Sequence, residues 1–253
     1  MTDTSTPPTL TAPAAASSGP THAEPATPYF DAFPQLYDRF TDIWDGISSS
    51  FDEWVGSHLP PTAARAVDLG CGAGRLTALL GDWAGEVLAV DVSDRMLQIA
   101  RTKRARDNIT YQQRGILDVT RHDGPFDVVL STHTLHHVGD PATVLPHARS
   151  LLAPGGTLIV ADIIDPGDWS SPEFHINRAF NDAALVYELT GDADAAADVL
   201  RLLLHPRWLQ QAAADTPMTR DAFHRTYQQQ FTGIEFTDDL HPLMCAAVWR
   251  APY

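Results

Sequence analysis

Residues 67–77, Val-Asp-Leu-Gly-Cys-Gly-Ala-Gly-Arg-Leu-Thr, constrain the fold of this chain more than any other stretch. An apolar run ends in Asp68, glycines alternate at Gly70, Gly72 and Gly74, and an amphipathic helical pattern follows. That order reads as a strand, a tight turn and a helix N-terminus, which together open a ligand crevice at the carboxyl end of a sheet. Alternating glycines let the backbone approach a ligand with no Cβ in the way. The spacing is Gly-x-Gly-x-Gly, not the Gly-x-Gly-x-x-Gly of a dinucleotide loop, and a carboxylate stands two residues before the first glycine. Such a carboxylate repels a pyrophosphate and suits a cationic cofactor.

The following runs repeat the pattern. Glu86-Val-Leu-Ala-Val-Asp91 reads as a second buried strand ending in an acid. Asp91 lies about 20 residues past the glycines, where a carboxylate can accept both hydroxyls of a ribose. The plainer role for it is to cap a helix over 93–101. A third strand is expected at 109–114 and a fourth at Phe126-Asp-Val-Val-Leu-Ser131, followed by Thr-His-Thr-Leu-His-His-Val138. Leu151 to Asp162 then gives a helix end, a Pro-Gly-Gly turn and a fifth strand.

In order and spacing, these motifs over residues 65–162 resemble the class I S-adenosylmethionine-dependent methyltransferases. Phe-Asp-Val-Val followed by Leu-His-His-Val is similar to the subgroup of ubiquinone and menaquinone C-methyltransferases and many natural-product methyltransferases. The resemblance implies a doubly wound, Rossmann-like α/β fold with a seven-stranded sheet, six strands parallel and the last antiparallel. It implies S-adenosylmethionine as cofactor, a sulfonium and an ammonium with no phosphate, and S-adenosylhomocysteine as product. Cofactor contacts are expected from Asp68, Gly70, Cys71, Gly72, Gly74, Asp91 and Val92, and from Ser131 at the methionine end. The family places an acid directly after a glycine to hold the adenine amino group. Here Ile116 and Leu117 separate Gly115 from Asp118, so Asp118 is the candidate, with the backbone of Ile116 and Leu117 sharing the role.

Bulk properties exclude several classes. The net charge of -15 and the lack of a basic face argue against nucleic acid. The basic run at 101–106 reads as a solvated helix end favoured by the helix dipole. Two cysteines give no disulfide framework and too few thiols for arsenite chemistry. No leader and no apolar run of about 18 residues point to a cytoplasmic chain with no membrane partner. Lys103 is the only lysine, which leaves no other position for a Schiff base.

Five segments are expected. Residues 1–27, rich in Thr, Pro, Ala and Ser, read as a disordered tail. Residues 28–60, dense in aromatics, form a helical lid, and 61–162 the cofactor core. Residues 163–218 form a helical cap inserted before the last two strands, with helices at 182–189 and 195–204 and Pro206 interrupting or ending the second. Residues 219–253 supply a final helix and a closing strand hairpin.

Proximity to an electrophilic methyl can supply most of the acceleration, and a hydroxyl or carbon nucleophile gains further from a general base. His133, His136 and Tyr37 are the catalytic candidates, against a plain packing role for each. Tyr29, His175, Arg178 and Trp208 are the substrate candidates; His175 and Arg178 share a helical face that would suit a carboxylate or phenolate. No Cys-x-x-Cys or His-Glu-x-x-His accompanies the histidines, so no metal is expected. The expected substrate is a small molecule, plausibly of secondary metabolism, with oxygen, nitrogen and carbon acceptors open and a peptide carboxylate or amine as the minor case. An NAD-dependent oxidoreductase and a non-catalytic cofactor-binding scaffold are the competing readings, and the chain is expected to be a monomer or homodimer.

Overall fold

The computed structural model describes residues 29–253, and the tail expected at 1–27 lies outside them. Seven strands form one sheet: β1 (Ala63–Leu69), β2 (Ala84–Asp91), β3 (Ile109–Gln113), β4 (Phe126–Thr132), β5 (Leu152–Ile163), β6 (Glu235–Thr237) and β7 (Met244–Arg250). Their order is β3-β2-β1-β4-β5-β7-β6. β1 to β5 pair in parallel, while β7 runs antiparallel to both β5 and β6, as the sequence led us to expect. The central strands are apolar throughout because helices cover both faces. In β4, Val128 and Leu130 point to one core layer with Trp54, Leu76 and Leu80; Val129 points to the other with Leu145, Phe223 and Tyr227.

The strand order reverses between β1 and β4. The loops leaving their carboxyl ends therefore diverge and leave a crevice. The glycine turn leaves β1 there and leads into α3 (Arg75–Trp83); Ser93, whose hydroxyl accepts from the Met96 N–H at 3.1 Å, caps α4 (Asp94–Lys103) after β2.

The lid comprises a 3-10 turn (Tyr29–Ala32), α1 (Pro34–Ile47) and α2 (Ser50–His58). α5 (Pro141–Ser150) precedes β5, and the cap comprises α6 (Pro172–Thr190), α7 (Ala193–Leu203) and α8 (Pro206–Ala214), with α9 (Arg220–Gln230) leading to the hairpin. A small-residue seam, Ala179, Ala183, Val186 and Val199, joins α6 to α7 and packs against Phe40, Ile43 and Trp44 of α1, so lid and cap form one roof.

Four expectations change. The Pro-Gly-Gly segment is a bulge inside β5 rather than a turn before it: Phe126 pairs with Leu152, but Val128 already pairs with Thr157. The first cap helix begins ten residues before the expected start, because Ser171 caps it and Pro172 occupies its first turn. Pro206 opens α8 instead of ending α7. The basic run at 101–106 is not merely solvated. Lys103 Nζ donates to Asp38 at 2.5 Å and Asp42 at 2.8 Å, and Arg104 donates to the same two carboxylates at 2.7 Å each, so α4 holds the lid.

Candidate functional site

Two cavities adjoin at the carboxyl end of the sheet, of about 450 Å³ beside the glycine turn and about 400 Å³ beneath the roof. Tyr29, Tyr37, Arg75, His133 and His137 line both, so these side chains form the wall between them.

Backbone and carboxylates shape the first cavity. Gly70 and Cys71 both donate their N–H to Val90 O at 2.9 Å, which folds the turn back onto β2. Gly70 has φ +81°, and a Cβ there would overlap the Thr134 side chain. Gly72 has φ +52° with only Met96 Cε, at 3.5 Å, near a Cβ position, so the backbone at Gly72 faces open space. Asp91 uses one oxygen for the Gly72 N–H at 2.9 Å and the other for the Ser93 N–H at 2.8 Å. A carboxylate has about four lone-pair sites, so this fixed Asp91 keeps acceptor capacity for two hydroxyls. Asp68 is buried and accepts from Thr77 Oγ1 at 2.6 Å. Burial pushes its pKa up to about 7, against the lowering effect of the Thr77 bond. Burial also raises the Cys71 thiol, next to Asp68 and Asp91.

The charges decide between cofactors. The two arginines on this cavity are already neutralised: Arg114 by Asp123 at 2.9 and 3.0 Å, Arg75 by Asp45 at 3.0 Å and by Asp52. Neither arginine on this cavity is left free for a diphosphate, while Asp91 and the titratable Asp68 offer carboxyl groups, so the donor set fits a cationic nucleoside better than a dinucleotide.

Asp68, Gly70, Cys71, Gly72, Asp91 and Val92 come together on this cavity. Four other candidates do not line it. Gly74 starts α3 at φ +81°, where a Cβ would press on the Tyr111 hydroxyl at 2.7 Å, so its role is packing. Ser131 is buried and donates to Leu69 O at 2.9 Å, tying β4 to β1. Leu117 and Asp118 are exposed, and the Asp118 carboxylate accepts the Gly115 N–H at 3.1 Å. The residue shift at this position turns the acid outward, and Arg114, Gly115 and Ile116 supply the wall instead.

The second cavity gathers Tyr29, Tyr37, His133, His136, Arg178 and Trp208. His175 is not among them: it is buried, its Nε2 2.6 Å from Trp169 O, and it braces the start of the cap. It makes no anion site with Arg178, whose Nε pairs with Asp182 at 3.3 Å. Burial raises Tyr37 to about 12, keeping it a neutral hydroxyl.

The two histidines after β4 differ sharply. His133 is the only non-glycine among the described residues with positive φ, at 53°, a conformation that costs free energy and persists where packing dictates it. Burial lowers its pKa to about 4. His136 Nδ1 lies 2.5 Å from Asp162 Oδ1, and its N–H donates to Asp162 Oδ2 at 2.9 Å. Burial disfavours the His136 cation, but the charge and hydrogen bond of Asp162 outweigh it and raise the pKa above the ordinary value. Burial opposes the Asp162 charge too, and His136 wins there as well, holding the carboxyl below its usual range. A carboxylate cannot donate, so Nδ1 carries the proton and Nε2 is the basic nitrogen.

Cation-binding groups can be tested on the same geometry. Ligand atoms of His136, His137 and Asp215 lie within 4.8 Å of one another, as do those of His224, Asp238 and Cys245. In the first, His136 is committed to Asp162 and Asp215 accepts from Gln211 at 2.6 Å. In the second, the Arg220 guanidinium sits 2.7 Å from the same Asp238 oxygen, which opposes a dication.

Sequence reasoning assigned no role to Asp162, Arg75, Asp45 or Asp215. Asp162 had a signal: like Asp68 and Asp91 it closes an apolar strand run. The others are brought in by the lid and cap, whose packing the local sequence does not specify.

Residues 67–160 match the family described as a methyltransferase domain. The chain is 30% identical over 127 residues to a ubiquinone biosynthesis O-methyltransferase of Cereibacter sphaeroides, covering 49% of this chain and 51% of that protein. It is 33% identical over 116 residues to an uncharacterised methyltransferase of Mycobacterium tuberculosis, covering 46% and 59%. The chain thus aligns with about half the length of the curated relatives it matches. In fold it is similar, at TM-score 0.60 and 15% identity over 92% of this chain and 98% of the other, to the solved structure of a putative S-adenosylmethionine-dependent methyltransferase from Methanococcus maripaludis. No helix among the described residues is long and apolar enough to cross a membrane.

Proposed function

We propose, on the premise that this chain carries a class I S-adenosylmethionine-dependent methyltransferase domain, that it moves a methyl group to a hydroxyl oxygen of a small molecule held beneath the roof. The observation that carries the oxygen assignment is the buried His136–Asp162 pair on the wall of the second cavity, next to the partition with the first. A thioether or an aromatic amine arrives with a usable electron pair, whereas an alcohol or phenol gains from losing its proton as it attacks, as does a ring carbon activated by a neighbouring phenol; the hydroxyl is favoured because it presents that proton to the base directly.

When bound, S-adenosylmethionine supplies an electrophilic methyl on a sulfonium. The chain's residues do the rest. Asp91, fixed by two N–H donors, accepts the ribose hydroxyls, and the open backbone at Gly72 lets the nucleoside lie close. An ammonium beside Asp68 draws off the proton that burial keeps on it and pairs with the carboxylate that results. Tyr37, His133 and His137 separate the cavities and aim the acceptor at the methyl. His136 Nε2 takes the acceptor proton, and Asp162 stabilises the imidazolium that results. His133, depressed by burial, is the weaker base and acts as part of the partition. The aromatic roof excludes water that would compete as nucleophile.

The peptide-carboxylate alternative rested on Arg178, whose charge is already offset by Asp182 at 3.3 Å from its Nε. The test is calorimetric retention of S-adenosylmethionine followed by transfer of labelled methyl to a panel of phenols, alcohols and amines. Retention with transfer to hydroxyls supports the reading. Transfer confined to amines defeats the oxygen assignment, and failure to retain the cofactor defeats the whole proposal.

A further inference from the structure

The acceptor cavity has an unusual charge arrangement for its composition. Its walls carry eight large aromatic side chains, among them Tyr37, Phe40, Trp44, Phe51, Trp169 and Trp208, and its volume suits a drug-sized molecule. Flat rings are held well by such walls, through offset and edge contacts. Two cations line it, Arg75 and Arg178. Each is paired with a carboxylate. Arg75 is gripped by Asp45 and Asp52 from two lid helices. Arg178 Nε pairs with Asp182 one turn further along α6, at 3.3 Å, a spacing the helix itself sets. Both partners of that pair are mostly shielded from solvent, at 18% and 22% exposure, so salt screens it weakly. Asp215 adds a third carboxylate to the wall, and Asp162 stands behind His136.

We infer that Asp182 is a specificity-determining residue: by neutralising Arg178 it makes the cavity accept uncharged, flat, hydroxyl-bearing ring systems and reject their carboxylated counterparts. An anion entering here gives up its hydration and meets three carboxylates, while the charge of each guanidinium is already offset by a carboxylate partner. A neutral hydroxylated ring loses little and gains the aromatic walls. The inference rests on the methyl-transfer reading only in treating this cavity as the acceptor site, and its test is a binding measurement that stands apart from turnover.

Trp44, Trp169 and Trp208 line the cavity, so intrinsic fluorescence reports occupancy. The full chain is titrated near neutral pH with naphthol, and with a hydroxynaphthoate of the same ring system. The wild type is expected to bind naphthol at least about tenfold more tightly, a difference of roughly 1.4 kcal/mol. Asp182→Asn, which keeps the side-chain shape, should bring the two affinities to within about threefold by tightening the hydroxynaphthoate. The double variant Asp182→Asn with Arg178→Met should restore the discrimination, which a general loosening of the cap would not do. Equal affinities in the wild type, binding of neither ring system, or an unchanged ratio in Asp182→Asn would each overturn the inference. Calorimetric retention of S-adenosylmethionine, measured on the same samples, reports on the methyl-transfer reading separately.

Discussion

Asp162→Asn isolates the chemistry assigned to the buried pair. The substitution preserves size, leaves an oxygen for one of the two His136 contacts, and removes the charge. Asp162 is 3% exposed, so no solvent replaces what is lost. A hydrogen bond to a charged group contributes roughly 1.5–3 kcal/mol, and this one strengthens as His136 takes up the acceptor proton. The loss therefore falls on the transition state and predicts a fall in kcat of about 10- to 100-fold, with more if the amide turns its NH₂ toward Nδ1 and reverses the tautomer. The KM and the cofactor affinity should move by less than about threefold, because Asp162 contacts neither ligand directly. The pH profile gives a second readout. A base must be unprotonated, so the rate rises with pH through the His136 pKa. Asp162 holds that pKa above the ordinary value, and without it burial pulls the pKa down. The acid limb of kcat/KM should therefore move to lower pH while the plateau drops. Steady-state kinetics with a hydroxyl acceptor across pH measures both. An unchanged plateau with an unmoved limb would refute the base assignment and leave the pair as a structural brace.

The remaining expectations concern the cofactor side, the partition and the lid. Asp91→Asn should weaken S-adenosylmethionine by about 10- to 100-fold by calorimetry, since a fixed double acceptor becomes half a donor; undiminished affinity removes Asp91 from the site. Burial raises Asp68 to about 7, so the native state holds a proton that the unfolded chain releases, and this stability is fully present at acid pH and is lost as pH rises through about 7. The swing is on the order of 4 kcal/mol, and Asp68→Asn should flatten the pH dependence of thermal unfolding in that window. His133→Ala should slow turnover less than His136→Ala, because burial leaves His133 mostly without basicity at neutral pH; a larger effect at His133 would exchange their roles. Asp38→Ala strips the buried acceptor shared by Lys103 and Arg104 and should cost about 2–4 kcal/mol in denaturant unfolding.

What was legible from the sequence follows from what is local. The glycine turn, the acids closing β1 and β2, and the continuous apolar runs of buried parallel strands each depend on neighbours within a dozen residues, and the seven-stranded sheet with its antiparallel last strand, implied by the resemblance, came out as expected. The placement of Asp91 beside the glycine turn was legible because its distance from the glycines is set by one βαβ unit. Asp118 was misplaced because a short loop can shift an acid by one or two positions, which is enough to turn it outward onto Gly115. His175 and Arg178 share a helical face, but the first is taken by Trp169 O and the second by Asp182; helical spacing gives direction and not partners. The lone cluster of basic residues was read as solvated because its acidic partners sit 61–66 positions away on α1.

The shared wall ties these pieces into one physical constraint. Tyr29, Tyr37, Arg75, His133 and His137 belong to both cavities, and they come from the lid, from α3 and from the segment after β4. Arg75 is the link between layers: it starts α3 at the glycine turn and binds Asp45 on α1 and Asp52 on α2. His137 is the matching link to the cap, 3.2 Å from Asp215 at the end of α8. Any displacement of the lid that opens the first cavity therefore strains contacts that shape the second. Among the described residues no hydrogen bond or ion pair joins the His136–Asp162 pair to the lid: Asp162 lies within β5 and His136 in the short turn that follows β4. On the proposed reading, proton transfer is anchored to the sheet and acceptor selection to the lid and cap, which is the division a site needs if one chemistry is to serve different roofs.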